Sequence, residues 1–214
     1  MVLRKPIVVV LIVFLLSLIS CLDVANEITD WTQITDINKV DGETHFLGDD
    51  GIKLFLPTTF KRYSMIEYLR VLDSIVVHNK DMKIERTRLK YMRELEDNHY
   101  IYFDKTTNAT NTLNTIPYLP ITRQDAKFIL GIVRQSQEQL ALQTDLEYKK
   151  ITAKHNDNGN TQIFKAIFKI TETKKQKQGF KHPYYISSNN KTVLINLMAP
   201  FEASFDQFLE KMIL

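Results

Sequence analysis

The chain has 214 residues, of which 44% are apolar and 25% are charged, which fits one globular domain and excludes disorder throughout. Its formal charge of +3 falls to +1 without Arg4 and Lys5, since 26 basic residues then face 25 acidic ones. So neutral a balance argues against binding nucleic acid, which needs a basic stripe, and the six glycines form none of the loops that bind nucleotides.

The N-terminal segment has the pattern of a secretory signal. Two basic residues are followed by an apolar run over residues 7–19, which Ser17 alone interrupts. These 13 residues are fewer than the roughly 18 that a membrane-spanning helix needs, so a cleaved signal is the better interpretation. The four residues that end this segment are Leu18, Ile19, Ser20 and Cys21.

These four residues resemble the lipobox of bacterial lipoproteins. The resemblance implies that residues 1–20 are a signal peptide, that the cut precedes Cys21, and that acyl chains attach to its sulfur. There are two alternatives. The segment is an uncleaved anchor helix, or it is an ordinary cleaved signal peptide in which Cys21 has no role. Acylation would explain a lone cysteine, because Cys21 has no partner for an intramolecular disulfide.

The expected location is the bacterial cell envelope, with the membrane contacted through lipid on Cys21. Each buried methylene contributes about 0.8 kcal/mol, so two or three acyl chains hold a protein firmly. Leu22 follows the cysteine where an aspartate would mark retention at the inner membrane in enteric bacteria, so this resemblance favours the outer membrane.

Residues 21–50 mix polar residues with isolated apolar ones and are predicted to be a tether and N-terminal segment. Asp49, Asp50 and Gly51 give a turn signal that closes this segment. A short strand is predicted over residues 52–56, ended by Pro57. A single globular domain is expected over residues 51–214.

Two helices are predicted next, over residues 64–77 and 81–96, where apolar residues recur at helical spacing. Ser64 with Glu67 three residues later is typical of a capping box. The aromatic residues 99–103 predict a strand, whereas the Thr/Asn-rich residues 106–115 predict a loop. Prolines exclude a helix over residues 116–121.

Residues 122–143 carry the clearest helix signal, with Thr122 and Asp125 as a cap before an apolar stripe. Residues 146–155 and 162–171 then form a predicted hairpin, as do residues 184–187 and 192–198. Four lysines between these hairpins are assigned to a solvated loop: Lys174, Lys175, Lys177 and Lys181. A terminal helix is predicted from Ser204.

These elements predict an α+β fold, an antiparallel sheet flanked by helices on both faces in an α/β/α sandwich. Over about two thirds of the chain, the order resembles the PsbP-like (Mog1-like) fold. The resemblance rests on residues 52–57 as an opening strand, residues 192–196 as a late strand, and Phe205, Phe208 and Leu209 on a closing helix. Members of that fold mostly bind or assemble other proteins, so the resemblance implies no catalytic residues.

Candidate chemistry is sparse. The five histidines lack metal-binding spacing, so neither a metal nor another cofactor is expected, and no serine-hydrolase motif occurs. The carboxylate pairs Asp49–Asp50 and Glu94/Glu96 are more simply a turn and a charged helix face.

Tyrosines give the best indication of a recognition surface, because a rigid ring with a hydroxyl adds contact area at low entropic cost. The candidates are Tyr118, Tyr102 and Tyr184, and core packing is the alternative for each. Tyr118 is the first candidate for exposure, because it lies between Pro117 and Pro120.

The leading hypothesis is a membrane-tethered, non-enzymatic binding or assembly protein with an envelope protein as a candidate partner. One alternative is an envelope hydrolase whose site is assembled from distant residues. The other is a carrier of an apolar ligand held between sheet and helix.

Overall fold

The computed structural model describes residues 29–30, 40–76, 86, 89 and 98–214. The strands of the described residues are β1 (Thr29–Asp30), β2 (Glu43–Leu47), β3 (Ile52–Leu56), β4 (Lys61–Tyr63), β5 (His99–Asp104), β6 (Ala109–Pro117), β7 (Leu146–Asp157), β8 (Thr161–Glu172), β9 (Lys177–Ser188) and β10 (Lys191–Ala199). The helices of the same part are α1 (Met65–Val76), α2 (Arg123–Gln143) and α3 (Asp206–Leu209).

Eight of these strands form one sheet in the order β1-β7-β8-β9-β10-β6-β5-β4. Its pairs are antiparallel, apart from the short parallel pair of β1 with β7. Strands β2 and β3 form a separate antiparallel hairpin. The fold is therefore α+β with a large antiparallel sheet, as the sequence predicted.

Both longer helices pack on one side of the sheet, which we call the helical face. Helix α2 contributes Ala126 and Leu130 to a buried cluster with Phe164 and Phe168. Helix α1 packs in the same way on Ile101 and Phe103. The register of the intervening strands puts both contacts on one face, because opposed residues in a sheet point the same way.

The opposite side, the hairpin face, carries the largest buried cluster. Leu54 of the hairpin and Leu209 of α3 pack there against Ile195 and Leu197. The C-terminal residues close the layer, since Ile213 and Lys53 exchange two backbone hydrogen bonds of 2.9 Å. Among the described residues, this second layer is thus mainly a β-hairpin with one short helix, where the sequence predicted helices.

Local signals placed several elements correctly. The strand over Ile52–Leu56 is present, α1 begins after Ser64 and α2 begins after Thr122. Both predicted hairpins form, β7 with β8 and β9 with β10. The helix predicted over residues 81–96 lies largely outside the described residues, of which Arg86 and Leu89 are helical.

The prediction of a loop over residues 106–115 is wrong, since most of these residues belong to strand β6. This strand lies between β10 and β5 in the sheet, and both neighbours supply its backbone partners. Pairing on both edges outweighs the low strand preference of asparagine, because strand propensity depends strongly on context. Thr110 also gains a side-chain partner, the Tyr68 hydroxyl at 2.6 Å.

The prediction that four lysines lie in a solvated loop is only partly correct. Lys174 and Lys175 lie in a turn, but Lys177 and Lys181 belong to β9, which begins seven residues before the predicted strand. Pairing with β8 opposes Lys177 to Glu172 and accounts for this extension. In the segment predicted as a tether, Thr29–Asp30 and Glu43–Leu47 form strands β1 and β2.

Candidate functional site

A cleft of about 340 Å³ lies between the C-terminal half of α2 and strands β7 and β8. We call it the α2–β7 cleft. Its lining combines two aromatic rings, two basic groups, two carboxylates and one amide. The residues are Arg134, Gln137, Glu138, Ala141, Leu146, Glu147, Tyr148, Lys150 and Phe168.

The cleft follows from the residue sizes on the inner side of α2. In the first half of the helix, Ala126 and Leu130 pack tightly against the sheet. Further along the same side, Gln137 is polar and Ala141 is small, so less apolar volume reaches the strands. A register shift in β7 between Lys150 and Thr152 also occurs at this point, and such bulges commonly redirect side chains beside functional sites.

Gln137 is the unusual member of the lining. Its side chain is only 5% exposed, yet its Nε2 has no hydrogen-bond partner among the described residues. Leaving a buried amide unpaired costs about 1–3 kcal/mol, so nearly all such groups in folded proteins are satisfied. A group bound in the cleft would remove that cost.

A second polar cluster lies inside the hairpin face. Lys165 of β8 forms an ion pair of 2.5 Å with Asp206 of α3, and the Tyr184 hydroxyl donates to the same carboxylate at 3.1 Å. All three side chains are buried. Burial first, and then the negative charge and hydrogen bond of Asp206, raise the pKa of Tyr184 well above its usual value. This cluster joins α3 to the sheet, and its groups already satisfy one another.

His182 lies near this cluster, and neither of its ring nitrogens has a hydrogen-bond partner among the described residues. Burial first, and then the positive charge of Lys165, lower the pKa of His182 to about 4, and the negative charge of Asp206 partly opposes them. The imidazole is therefore neutral near pH 7 and acts as a packed ring.

Register aligns His182 with Leu197, Asn111 and Tyr102 across the hairpin face. Both polar atoms of the Asn111 amide and the Tyr102 hydroxyl also have no hydrogen-bond partner in the described part of the chain. Burial raises the pKa of Tyr102 to about 12. The ring of His45 from β2 covers Tyr102 at a centroid distance of 4.8 Å.

The structure separates the three tyrosines of the predicted recognition surface. Tyr118 is 47% exposed, whereas Tyr102 and Tyr184 are fully buried. The two buried rings correct the prediction that they share a surface with Tyr118, because both belong to the buried cluster of the hairpin face. A recognition role for Tyr118 stays a prediction.

The lipidation residue Cys21 and the lipobox residues Leu18, Ile19 and Ser20 lie outside the described residues.

The Asp50 carboxylate, predicted to belong to a turn, accepts hydrogen bonds from Tyr100 at 2.5 Å and Thr115 at 3.1 Å. Its neighbour Gly51 has φ +65°, which suits the turn. Asp50 thus holds the β2–β3 hairpin against β5 and β6.

Sequence reasoning missed Gln137. A signal for it existed, since it is a polar residue at helical spacing from the apolar residues of the α2 stripe.

Within the described ranges, no three His, Cys, Asp or Glu side chains come together as potential metal ligands. None of the helices in those ranges has the length and apolar character needed to cross a bilayer.

Two solved structures that are similar to this chain carry the names of the fold family that the sequence resembles. Cyanobacterial PsbP from Synechocystis sp. PCC 6803 has a TM-score of 0.49 and 8% identity, over 86% of this chain and 98% of that chain. The Ran-binding protein Mog1p of Saccharomyces cerevisiae has a TM-score of 0.48 and 8% identity, over 82% and 96%.

A third similar structure is a protein from Bacteroides thetaiotaomicron VPI-5482, with a TM-score of 0.43 and 7% identity, over 81% of this chain and 48% of that chain. No protein-family model and no curated protein matches this chain. The similarity to the three structures concerns the course of the chain alone.

Proposed function

We propose that this protein is a non-enzymatic binding protein of the bacterial cell envelope, tethered to a membrane, the outer membrane in a two-membrane cell, by lipid on Cys21. Its ligand is a small amphiphile, and its binding site is the α2–β7 cleft. The observation that carries the proposal is the buried Gln137 amide, which lines the cleft with an Nε2 that no described group accepts from. An envelope protein that contacts the exposed Tyr118 is a further candidate partner.

The cleft has the size and mixed lining of a small-molecule site. Its volume of about 340 Å³ is at the lower end of the range of roughly 300–1,000 Å³ for such pockets. The rings of Tyr148 and Phe168 offer an apolar wall, and the positive charges of Arg134 and Lys150 stand beside the negative charges of Glu138 and Glu147. An apolar ligand body would lie on the rings, and a polar acceptor on the ligand would meet Gln137.

The buried polar group of the cleft, Gln137, suits recognition, and the two carboxylates of the lining, Glu138 and Glu147, are exposed. An amide such as Gln137 donates and accepts hydrogen bonds without gaining or losing a proton near neutral pH. General acid–base catalysis instead needs a group that titrates near the working pH. An amide held in place by burial fixes the orientation of a ligand at little entropic cost.

Binding can be tested with a fluorescent amphiphile, 1-anilinonaphthalene-8-sulfonate, titrated into the full-length protein. We expect saturable binding of one probe per chain. Replacing Ala141 by Phe fills the cleft and should weaken binding at least about tenfold, which corresponds to 1.4 kcal/mol. Gln137→Leu keeps the side-chain volume, removes the donor, and should also weaken binding.

Leu142→Phe is the matched control, because Leu142 follows Ala141 on α2 but is exposed and does not line the cleft. It should bind the probe like the wild type. Equal affinities for the Ala141→Phe and Leu142→Phe proteins, at equal helix content, would rule the cleft out as the site.

The tether can be tested on the natural protein by intact-mass analysis. We expect a mature chain that begins at Cys21 and carries the added mass of acyl chains. Cys21→Ala should leave the signal uncut and abolish acylation, whereas Ser20→Ala keeps a small residue before the cut and should preserve both. An unmodified thiol on a membrane-associated wild-type protein would contradict the tether.

A further inference from the structure

The outward side of α2 exposes large apolar side chains in its N-terminal half. Phe128 is 70% exposed and Ile132, one turn later, is 50% exposed. Gly131 lies between them, and a Cβ there would have no neighbour within 4 Å. These three residues, which we call the outer strip, form a smooth apolar surface on the exposed side of a helix, where polar residues are the rule.

The path of the chain brings the proposed lipid close to this strip. Strand β1 pairs Thr29 with Lys154 and Asp30 with His155 at the edge of the sheet. His155 contacts the carbonyl of Ile121 through Nε2 at 2.7 Å, two residues before α2 begins. The segment that leads from Cys21 therefore joins the fold beside the N-terminal end of α2.

The covalent length of that segment limits how far the membrane can be. Thr29 is eight positions after Cys21, so the two residues are at most about 29 Å apart. Phe128 and Ile132 are five and nine residues beyond Arg123, which is about 8 and 14 Å along the helix axis. The outer strip is thus within reach of a bilayer that holds an acyl chain on Cys21.

We propose that the outer strip of α2 rests on the lipid bilayer and fixes the orientation of the domain on the membrane. This inference depends on the proposed lipid on Cys21. Burial in the interface would remove Phe128 and Ile132 from water. The helical segment that carries the strip contains two basic residues and one acidic residue, Arg123, Lys127 and Asp125, so its net charge does not oppose contact with anionic headgroups.

This orientation keeps the α2–β7 cleft accessible. Gln137 lies nine residues after Phe128, which is about two and a half helical turns. The cleft and the outer strip therefore lie on opposite sides of α2. A ligand would reach the cleft from the aqueous side while the strip contacts lipid.

The test uses full-length protein purified with its natural modification and reconstituted in vesicles of phosphatidylethanolamine and phosphatidylglycerol. Phe128→Cys and Ile132→Cys each introduce a thiol for a nitroxide spin label. Phe46→Cys and Ile213→Cys are controls, because both positions are exposed and belong to the hairpin layer. Collision of the label with oxygen, which concentrates in lipid, is compared with collision with a water-soluble nickel chelate.

We expect the ratio of oxygen to nickel accessibility to be severalfold higher at Phe128→Cys and Ile132→Cys than at the two controls. Equal ratios at all four positions would overturn the membrane contact and leave the tether intact. A label that is immobilised on the strip but shielded from both reagents would mean a protein contact, and would also overturn it.

The same samples separate failure of this inference from failure of the tether. Cys21 is the only cysteine of the natural chain, so an acylated protein takes up one label per chain. Two labels per chain, seen by intact mass, would show a free Cys21 thiol and overturn the tether and the membrane contact together.

Discussion

His182 shows how one residue on the hairpin face couples stability to pH. Its side chain is fully buried, and burial and Lys165 hold its pKa at about 4. In the unfolded chain, a histidine titrates near pH 6.5. The unfolded chain therefore binds more protons than the folded one between these values, so stability falls as the pH falls through this window.

We predict that the free energy of unfolding drops between pH 7 and pH 4.5, with His182 contributing about 2 kcal/mol of that loss. In His182→Leu, which cannot titrate, this part of the loss should disappear, and Lys165 and Asp206 stay in place. Urea unfolding at both pH values measures the difference between the two proteins.

Above about pH 7.5 the imidazole is neutral in both states, so the pH dependence of wild type and His182→Leu should run parallel there. Parallel curves that continue down to pH 4.5 would show that His182 does not have a lowered pKa. Carboxylates such as Asp104 are common to both proteins and cancel in the comparison. Burial raises the pKa of Asp104, but its several hydrogen bonds together lower that pKa below the usual value.

At the scale of elements, those with local signals were predicted and those that depend on distant partners were not. The starts of α1 and α2 are encoded by Ser64–Glu67 and Thr122–Asp125, and the structure has both sets of hydrogen bonds. The residues of strand β6 carry no such local signal. Its extended conformation is stabilised by backbone pairing with β5 and β10.

The cap of α2 gives a prediction for the element that forms the cleft. Thr122 Oγ1 accepts from the Asp125 amide at 3.2 Å, and the Asp125 carboxylate accepts from the Thr122 amide at 2.9 Å. Replacing Thr122 by Ala should lower the free energy of unfolding by about 1 kcal/mol, since the backbone N–H of Asp125 then loses the hydroxyl that accepts its hydrogen bond. Thermal or urea unfolding measures the loss.

Thr122→Ser is the matched control, because serine keeps the hydroxyl that caps the helix. It should restore most of the lost stability. A Thr122→Ala protein as stable as the wild type would mean that packing of Ala126 and Leu130 on the sheet determines where α2 begins.

At the scale of the whole molecule, the sequence indicated the α+β class and the antiparallel sheet but not the second layer. Hairpin β2–β3 packs on one face of the main sheet. There it contacts a cluster whose residues lie far away in the chain, such as Tyr100 and Ile195. No short-range pattern encodes such a contact. The cleft was also hidden, because one wall of it is formed by Phe168 of β8, which lies 27 residues after Ala141 in the chain.

Asp50 ties the two sheets together and provides a test of this arrangement. Its carboxylate accepts hydrogen bonds from Tyr100, Thr115 and Asn98, and its backbone carbonyl accepts from Lys191. Hydrogen bonds to a charged group contribute about 1.5–3 kcal/mol each, but partial exposure of this turn allows water to replace some of them. Asp50→Ala should therefore lower the free energy of unfolding by about 2 kcal/mol.

The loss should be local as well as global, because regions of a fold open with different free energies. In Asp50→Ala, amide hydrogen exchange should quicken in β2 and β3 more than in β8 and β9, which pair with strands on both sides. Asp49→Ala is the matched control, since Asp49 is the exposed neighbour in the same turn. Uniformly faster exchange in both sheets would mean that the hairpin and the main sheet unfold as one unit. Asp50 would then contribute to the stability of the whole fold and would not specifically attach the hairpin to the sheet.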